Sequence, residues 1–173
     1  MGFTDVNKLR KYLNPTFVET GTGECNGIKL ALYAGFQTVY SVEVNLDTYR
    51  DAVEMLGNCS NVNLYYGNSI DVLPKIVDKI ETPVTFWLDS HINGRKDVSP
   101  NPCPILEEID IVMKCKYPFV ILIDDMRLFR KKRGIWGGIS EQDIVNKIHF
   151  YNSQYEIAYE NGYKQKDIMV VFR

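Results

Sequence analysis

Apolar and polar positions along this chain follow two rhythms. Short apolar runs bounded by turn residues alternate with stretches in which apolar residues recur every three or four positions. Thr16 to Glu19, Thr38 to Val42, Val62 to Tyr66, Val84 to Leu88, Phe119 to Ile123, Tyr155 to Tyr159 and Ile168 to Phe172 read as strands. Val84–Leu88 and Phe119–Ile123 carry almost no polar residue, as expected of strands covered on both faces. Asn26 to Gly35, Leu46 to Leu56, Ile70 to Ile80, Ile105 to Cys115 and Ser140 to Phe150 read as helices. Gly35 is placed to cap the first of these, and Ser140 with Asp143 forms a capping-box signature. Pro74 requires its helix to start nearby or to bend. Val6, Leu9, Tyr12 and Leu13 allow one short helix within residues 1–15.

Strands alternating with helices predict a mostly parallel sheet with helices on both faces. Asn161-Gly162, a tight-turn signal, separates the last two strands and makes one of them antiparallel. The expectation is one α/β domain over residues 1–173, with a seven-stranded, mostly parallel sheet whose last strand is reversed.

Composition narrows the class. At 173 residues, 45% hydrophobic and 24% charged, the chain can bury a sizeable core and is not disordered. No run approaches the roughly 20 apolar residues of a membrane span. The N-terminus lacks the basic-then-apolar pattern of a signal peptide. A net charge of −2 gives no bulk electrostatic case for a nucleic-acid partner. Cys25, Cys59, Cys103 and Cys115 are far apart and form no C-x-x-C pair, so they read as reduced thiols of a cytoplasmic protein. His91 and His149 lie in unrelated segments, which argues against zinc.

Candidate chemistry gathers at strand ends. Glu19-Thr20-Gly21-Thr22-Gly23-Glu24-Cys25-Asn26-Gly27 follows a strand and opens a helix, where a nucleoside-binding loop lies in such folds. A tight β–α turn with no ligand is the bland alternative. Glu43 ends the next strand, 20 residues beyond Gly23, where a carboxylate accepts ribose hydroxyls. Asn68, with Ser69 beside it, follows the third strand and can meet an adenine edge. Glu19 and Glu24 would repel a pyrophosphate, which disfavours a nicotinamide dinucleotide, but not a sulfonium with an amino-acid tail.

On these residues the chain resembles the class I S-adenosylmethionine-dependent methyltransferases, whose fold is Rossmann-like. Glu19-x-Gly21-x-Gly23 looks like their first motif and Glu43 like their ribose-binding acid. The third glycine falls at 27, with Cys25 where that family has glycine. The resemblance implies S-adenosyl-L-methionine bound by Glu19, Thr20, Gly21, Gly23, Glu43, Asn68, Ser69 and Asp89. The fourth strand ends in Asp89-Ser90-His91 and the fifth in Asp124-Asp125. This looks like the metal-dependent sugar (macrocin-type) O-methyltransferases. Asp89, Asp124 and Asp125 would then hold Mg²⁺ or a similar cation, unless one caps a helix or meets the methionine amino group. Asp89, His91 and Asp125 are the catalytic candidates, with His91 first and Asp125 second as the base.

Two loops remain. Residues 92–104 form a long polar loop with prolines. Residues 127–133 hold five basic residues, followed by Trp136 between glycines. The second loop reads as a solvated charged segment or as a lid. The resemblance implies a hydroxyl of a sugar or glycan as acceptor, such as a deoxysugar like rhamnose, in a site left open or completed by a second subunit in a homodimer. An RNA- or cap-directed methyltransferase using the basic loop, and a non-catalytic cofactor-binding domain, are the alternatives.

Overall fold

The computed structural model describes residues 2–3, 5–91, 101–131 and 138–173. Helix α1 (Val6–Arg10) is capped by the Asp5 side chain and precedes strand β1 (Thr16–Thr20). Then follow α2 (Asn26–Ala34), β2 (Thr38–Glu43), α3 (Leu46–Leu56), β3 (Val62–Tyr66), α4 (Ser69–Val77) and β4 (Val84–Leu88). The chain continues through α5 (Ile105–Val112), β5 (Phe119–Ile123), α6 (Met126–Phe129), α7 (Glu141–Tyr151), β6 (Glu156–Glu160) and β7 (Ile168–Phe172).

The expected strands are all present, with bounds shifted by at most one residue. Gly35 caps α2 in the left-handed conformation, and the Ser140–Asp143 capping box closes the start of α7. Pro74 stands inside α4, which starts five residues earlier at Ser69. It stands past the first turn, so the ladder bond to the Ile70 carbonyl is missing, and the helix ends three residues later at Val77. The segments expected as helices to Ile80 and Cys115 end sooner, at Val77 and Val112, in short turns. Two expectations change. The Asn161-Gly162 turn is part of a seven-residue connection, 161–167, because Glu160 pairs with Ile168. Helix α6 begins at Met126, just past Asp124 and Asp125, where the sequence pattern predicts a loop.

The sheet order is β3-β2-β1-β4-β5-β7-β6. The five strands from β3 to β5 run parallel, and β7 is antiparallel to both its neighbours. Alternate strand residues supply two cores. Val18, Phe86, Ile121, Ile123 and Met169 pack with α4, α5 and α7, whereas Phe17, Trp87, Leu122 and Val170 pack with α1, α2 and α3. That period of two, apolar on both faces, is why β4 and β5 carry almost no polar residue. Among the described residues, no helix is long and apolar enough to cross a membrane.

Strand order changes direction between β1 and β4, and ligands of open parallel sheets bind outside the carboxyl ends at such a point. In register, Thr20 lies beside Val42 and Leu88, and Leu88 beside Ile123. The residues that follow each strand therefore form one row.

Candidate active site

Above that row lies a cleft of about 560 Å³. One wall is built by the turn after β1. Gly21 has φ of 84° and Gly23 φ of 49°, conformations that suit glycine. A Cβ on Gly21 would stand 2.4 Å from the Asp89 carbonyl oxygen, so the glycine lets the β1 and β4 ends approach. Glu43 accepts hydrogen bonds from Gly23 N–H (3.0 Å) and Asn45 N–H (2.8 Å). Each carboxylate oxygen keeps a further lone pair for a ligand.

Glu19 also lines the cleft but is only 2% exposed. It accepts a hydrogen bond from Ser41 Oγ at 2.8 Å, and Ser41 is joined in turn to Thr22. The third glycine of the loop now has a reason. A Cβ on Gly27 would lie 1.6 Å from Glu19 Oε1, so α2 can begin against this carboxyl only with glycine there. Cys25, at the position where the resembling family has glycine, adopts the left-handed conformation as N-cap of α2. Asn68 caps α4 by accepting from Ile70 N–H at 3.3 Å, so its carbonyl is engaged and its amide is the group left to face a ligand. Thr20 turns inward, accepting from Asp89 N–H, and does not line the cleft.

The acidic side carries Asp89, His91, Asp124 and Asp125. His91 Nε2 lies 2.7 Å from Asp125 Oδ2 and 3.5 Å from Asp89 Oδ1. The other Asp125 oxygen is bound by Arg127, whose guanidinium also pairs with Asp167 at 2.5 Å. Asp167 is fully buried and also accepts from Arg127 N–H at 2.9 Å. Donor atoms within 4.8 Å of one another form two overlapping groups, Asp89–His91–Asp125 and Asp124–Asp125–Asp167. Asp167 was not read from the sequence, since only the pairing of β7 brings it here. Because β7 is antiparallel and pairs Met169 with Ile123, the residues just before it return to the end of β5.

Burial opposes charge on His91, but the Asp125 hydrogen bond and the surrounding aspartates outweigh it and hold its pKa above the usual histidine value. Burial likewise works against the Asp125 charge, yet His91 and Arg127 keep its pKa below the usual range. Burial, with Asp89 and Asp125 nearby, pushes Asp124 up to about 7.

Burial also pushes Glu19 up to about 8 and Glu108 to about 7. A carboxyl whose folded pKa is raised binds more protons folded than unfolded, so its contribution is complete below the unfolded value and lost as pH rises. Chemical denaturation is therefore expected to show stability falling between pH 5 and pH 8, in the window the two shifts define. Glu19→Gln should flatten that fall. Constant stability across the window would contradict these protonation states.

Part of the basic run is already paired. Arg127 is held by Asp125 and Asp167, and Arg130 by Glu141 and the Lys166 carbonyl. Residues 132–133 and Trp136, and the loop over 92–100, lie outside the described residues.

Sheet order, glycine turn and reversed β7 together define the fold of the class I S-adenosylmethionine-dependent methyltransferases. Solved structures share it. An O-methyltransferase from Bacillus cereus in complex with S-adenosylhomocysteine is 14% identical, with TM-score 0.63 over 97% of this chain and 78% of that one. TomG of Streptomyces achromogenes, an O-methyltransferase involved in tomaymycin synthesis and bound to S-adenosylmethionine, is 14% identical, with TM-score 0.60 over 96% and 75%. A putative rRNA methylase from Clostridium thermocellum is 12% identical, with TM-score 0.60 over 96% and 92%. No family model matches the sequence, and no curated protein matches it.

Proposed function

We propose that this protein is an O-methyltransferase that moves the methyl group of S-adenosylmethionine to a hydroxyl of a sugar or glycan, in the cytoplasm. One observation carries the reading. A single cleft joins a nucleoside-suited wall (Gly21, Gly23, Glu43, Asn68) to an acid-and-imidazole wall (Asp89, His91, Asp125). The first wall suits the donor, and the second suits activation of an oxygen nucleophile. The resemblance to sugar O-methyltransferases supplies the acceptor class, and the open cleft leaves room for it or for a second subunit.

In the reaction, the acceptor oxygen forms a bond to the methyl carbon as the carbon–sulfur bond breaks. The electron pair stays on sulfur, giving S-adenosylhomocysteine. The acceptor proton passes to His91 or Asp125. His91 serves as base only after losing the proton that its acidic neighbours favour. Asp125, fixed to His91 and Arg127, orients the imidazole and stabilises its charged form.

The carboxylate cluster fits a divalent cation. Among the described residues, Asp89, Asp124, Asp125 and Asp167 outnumber the cationic His91 and Arg127, and burial, with Asp89 and Asp125 nearby, raises the pKa of Asp124. Asp89, Asp124 and Asp125 would hold the ion, with Asp125 the member common to the two groups of donor atoms. Bound there, Mg²⁺ or a similar hard cation would lower the pKa of a coordinated hydroxyl.

The test is transfer of label from methyl-labelled S-adenosylmethionine to a cytoplasmic glycan pool, with Mg²⁺ and with EDTA. Label in glycan, lost on chelation, is expected. Label in RNA instead would move the acceptor to nucleic acid. Binding of the donor with no transfer would make this a binding domain. Full activity in EDTA would remove the cation.

A further inference from the structure

Glu108 belongs to neither wall, yet it touches both. It sits on the buried face of α5 with Ile105, Ile109 and Val112 and is fully buried. A carboxyl is costly to bury among such neighbours unless hydroxyls serve it. Its Oε1 accepts a hydrogen bond from Ser90 Oγ at 2.7 Å. The Thr20 and Ser69 hydroxyls also face this carboxyl, although Ser69 Oγ and Glu108 Oε2 remain buried without closing a hydrogen bond. The three hydroxyls come from three places: the end of β1, the start of α4 and the turn after β4. Glu108, Ser90 and His91 also border one small cavity of about 10 Å³. Ser90 lies between Asp89 and His91, whose side chains meet each other at 3.5 Å in the cleft.

We propose that Glu108 is a positioning residue: through Ser90 it fixes the turn that presents Asp89 and His91, and it joins that turn to the donor-side strand ends at Thr20 and Ser69. The proposal rests on reading the cleft as a methyl-donor site. One buried carboxyl thereby couples the geometry of the two walls, with no contact to either substrate.

The test uses Ser90→Ala, Glu108→Leu, Glu108→Gln and the Ser90→Ala/Glu108→Leu double variant. Each is measured for S-adenosylhomocysteine affinity by calorimetry and for ring signals of its two histidines by NMR without ligand. Ser90→Ala and Glu108→Leu should each weaken binding about tenfold, and the double variant should lose no more than Glu108→Leu alone. Glu108→Gln, which keeps an acceptor for Ser90, should recover most of the affinity. His91 signals should shift in Ser90→Ala and Glu108→Leu while His149 signals stay in place. Should Glu108→Leu fail to fold, Glu108→Met, which also removes the acceptor, combined with Ser90→Ala gives the same cycle. Multiplying losses, unchanged affinity in Ser90→Ala, or unmoved His91 signals would overturn the proposal. Wild-type protein that binds no S-adenosylhomocysteine would instead sink the functional reading, and the ligand-free His91 signals would still decide the positioning role.

Discussion

Gly21→Ala should lose most of its affinity for S-adenosylhomocysteine and melt well below the wild type. Two effects add. The backbone there has φ of 84°, which strains an L side chain, and the new Cβ would press 2.4 Å from the Asp89 carbonyl oxygen. Backbone strain and overpacking each cost about 1–3 kcal/mol. For a chain of this size the sum lowers the melting temperature by roughly 4–24 °C. The only relief is to separate the β1 turn from the end of β4, which opens the cleft where its walls meet. Gly23→Ala is the control. It also has positive φ, but nothing lies within 4 Å of its added Cβ, so its loss should be smaller. Calorimetric melting and ligand titration of both variants check this. Equal, mild effects would contradict the close approach of the two strand ends.

Asp125→Ala should lower turnover by about 10²–10⁴-fold, the range for a general acid–base pair, while leaving S-adenosylhomocysteine affinity near wild type. The carboxylate touches His91 through one oxygen and Arg127 through the other. Its loss frees the imidazole from its orienting partner and leaves Arg127 paired with Asp167 alone. The donor wall, built by Gly21, Gly23 and Glu43, does not touch Asp125. Measured kcat and donor affinity therefore separate. Turnover that survives Asp125→Ala would remove both it and its pairing with His91 from the chemistry.

The regular parts of the fold were legible because their signals are local. Strands such as Phe119–Ile123 are apolar on both faces because both faces are covered, and Ser140 with Asp143 needs only its own helix to act. Glu43 and Asp89 were legible as site candidates because a parallel sheet brings carboxyl ends together. Strand order could not be read, since period-two patterning says which face is buried and not which neighbour pairs. Asp167 was hidden for that reason: it precedes its strand, and only the reversed direction of β7 carries it to Asp125. Glu108 carried a faint signal, lying three residues after Ile105 and four before Val112 on the apolar stripe of α5. Arg127 and Arg130 looked like a free basic run because their partners, Asp167 and Glu141, are distant in sequence. The connection over 161–167 outgrew its Asn-Gly signal because Asn161 Oδ1 accepts from Lys166 N–H, closing a wider loop.

The central claim is that the cleft holds the adenosine of a methyl donor, with Glu43 on its ribose. Isothermal titration of the wild type and Glu43→Ala with S-adenosylhomocysteine, and of the wild type with NAD⁺, tests it directly. One S-adenosylhomocysteine per wild-type chain, binding weakened at least about tenfold in Glu43→Ala, and no heat with NAD⁺ are expected. Wild-type protein that takes up NAD⁺ but not S-adenosylhomocysteine, or a Glu43→Ala variant that binds it undiminished, would contradict the account.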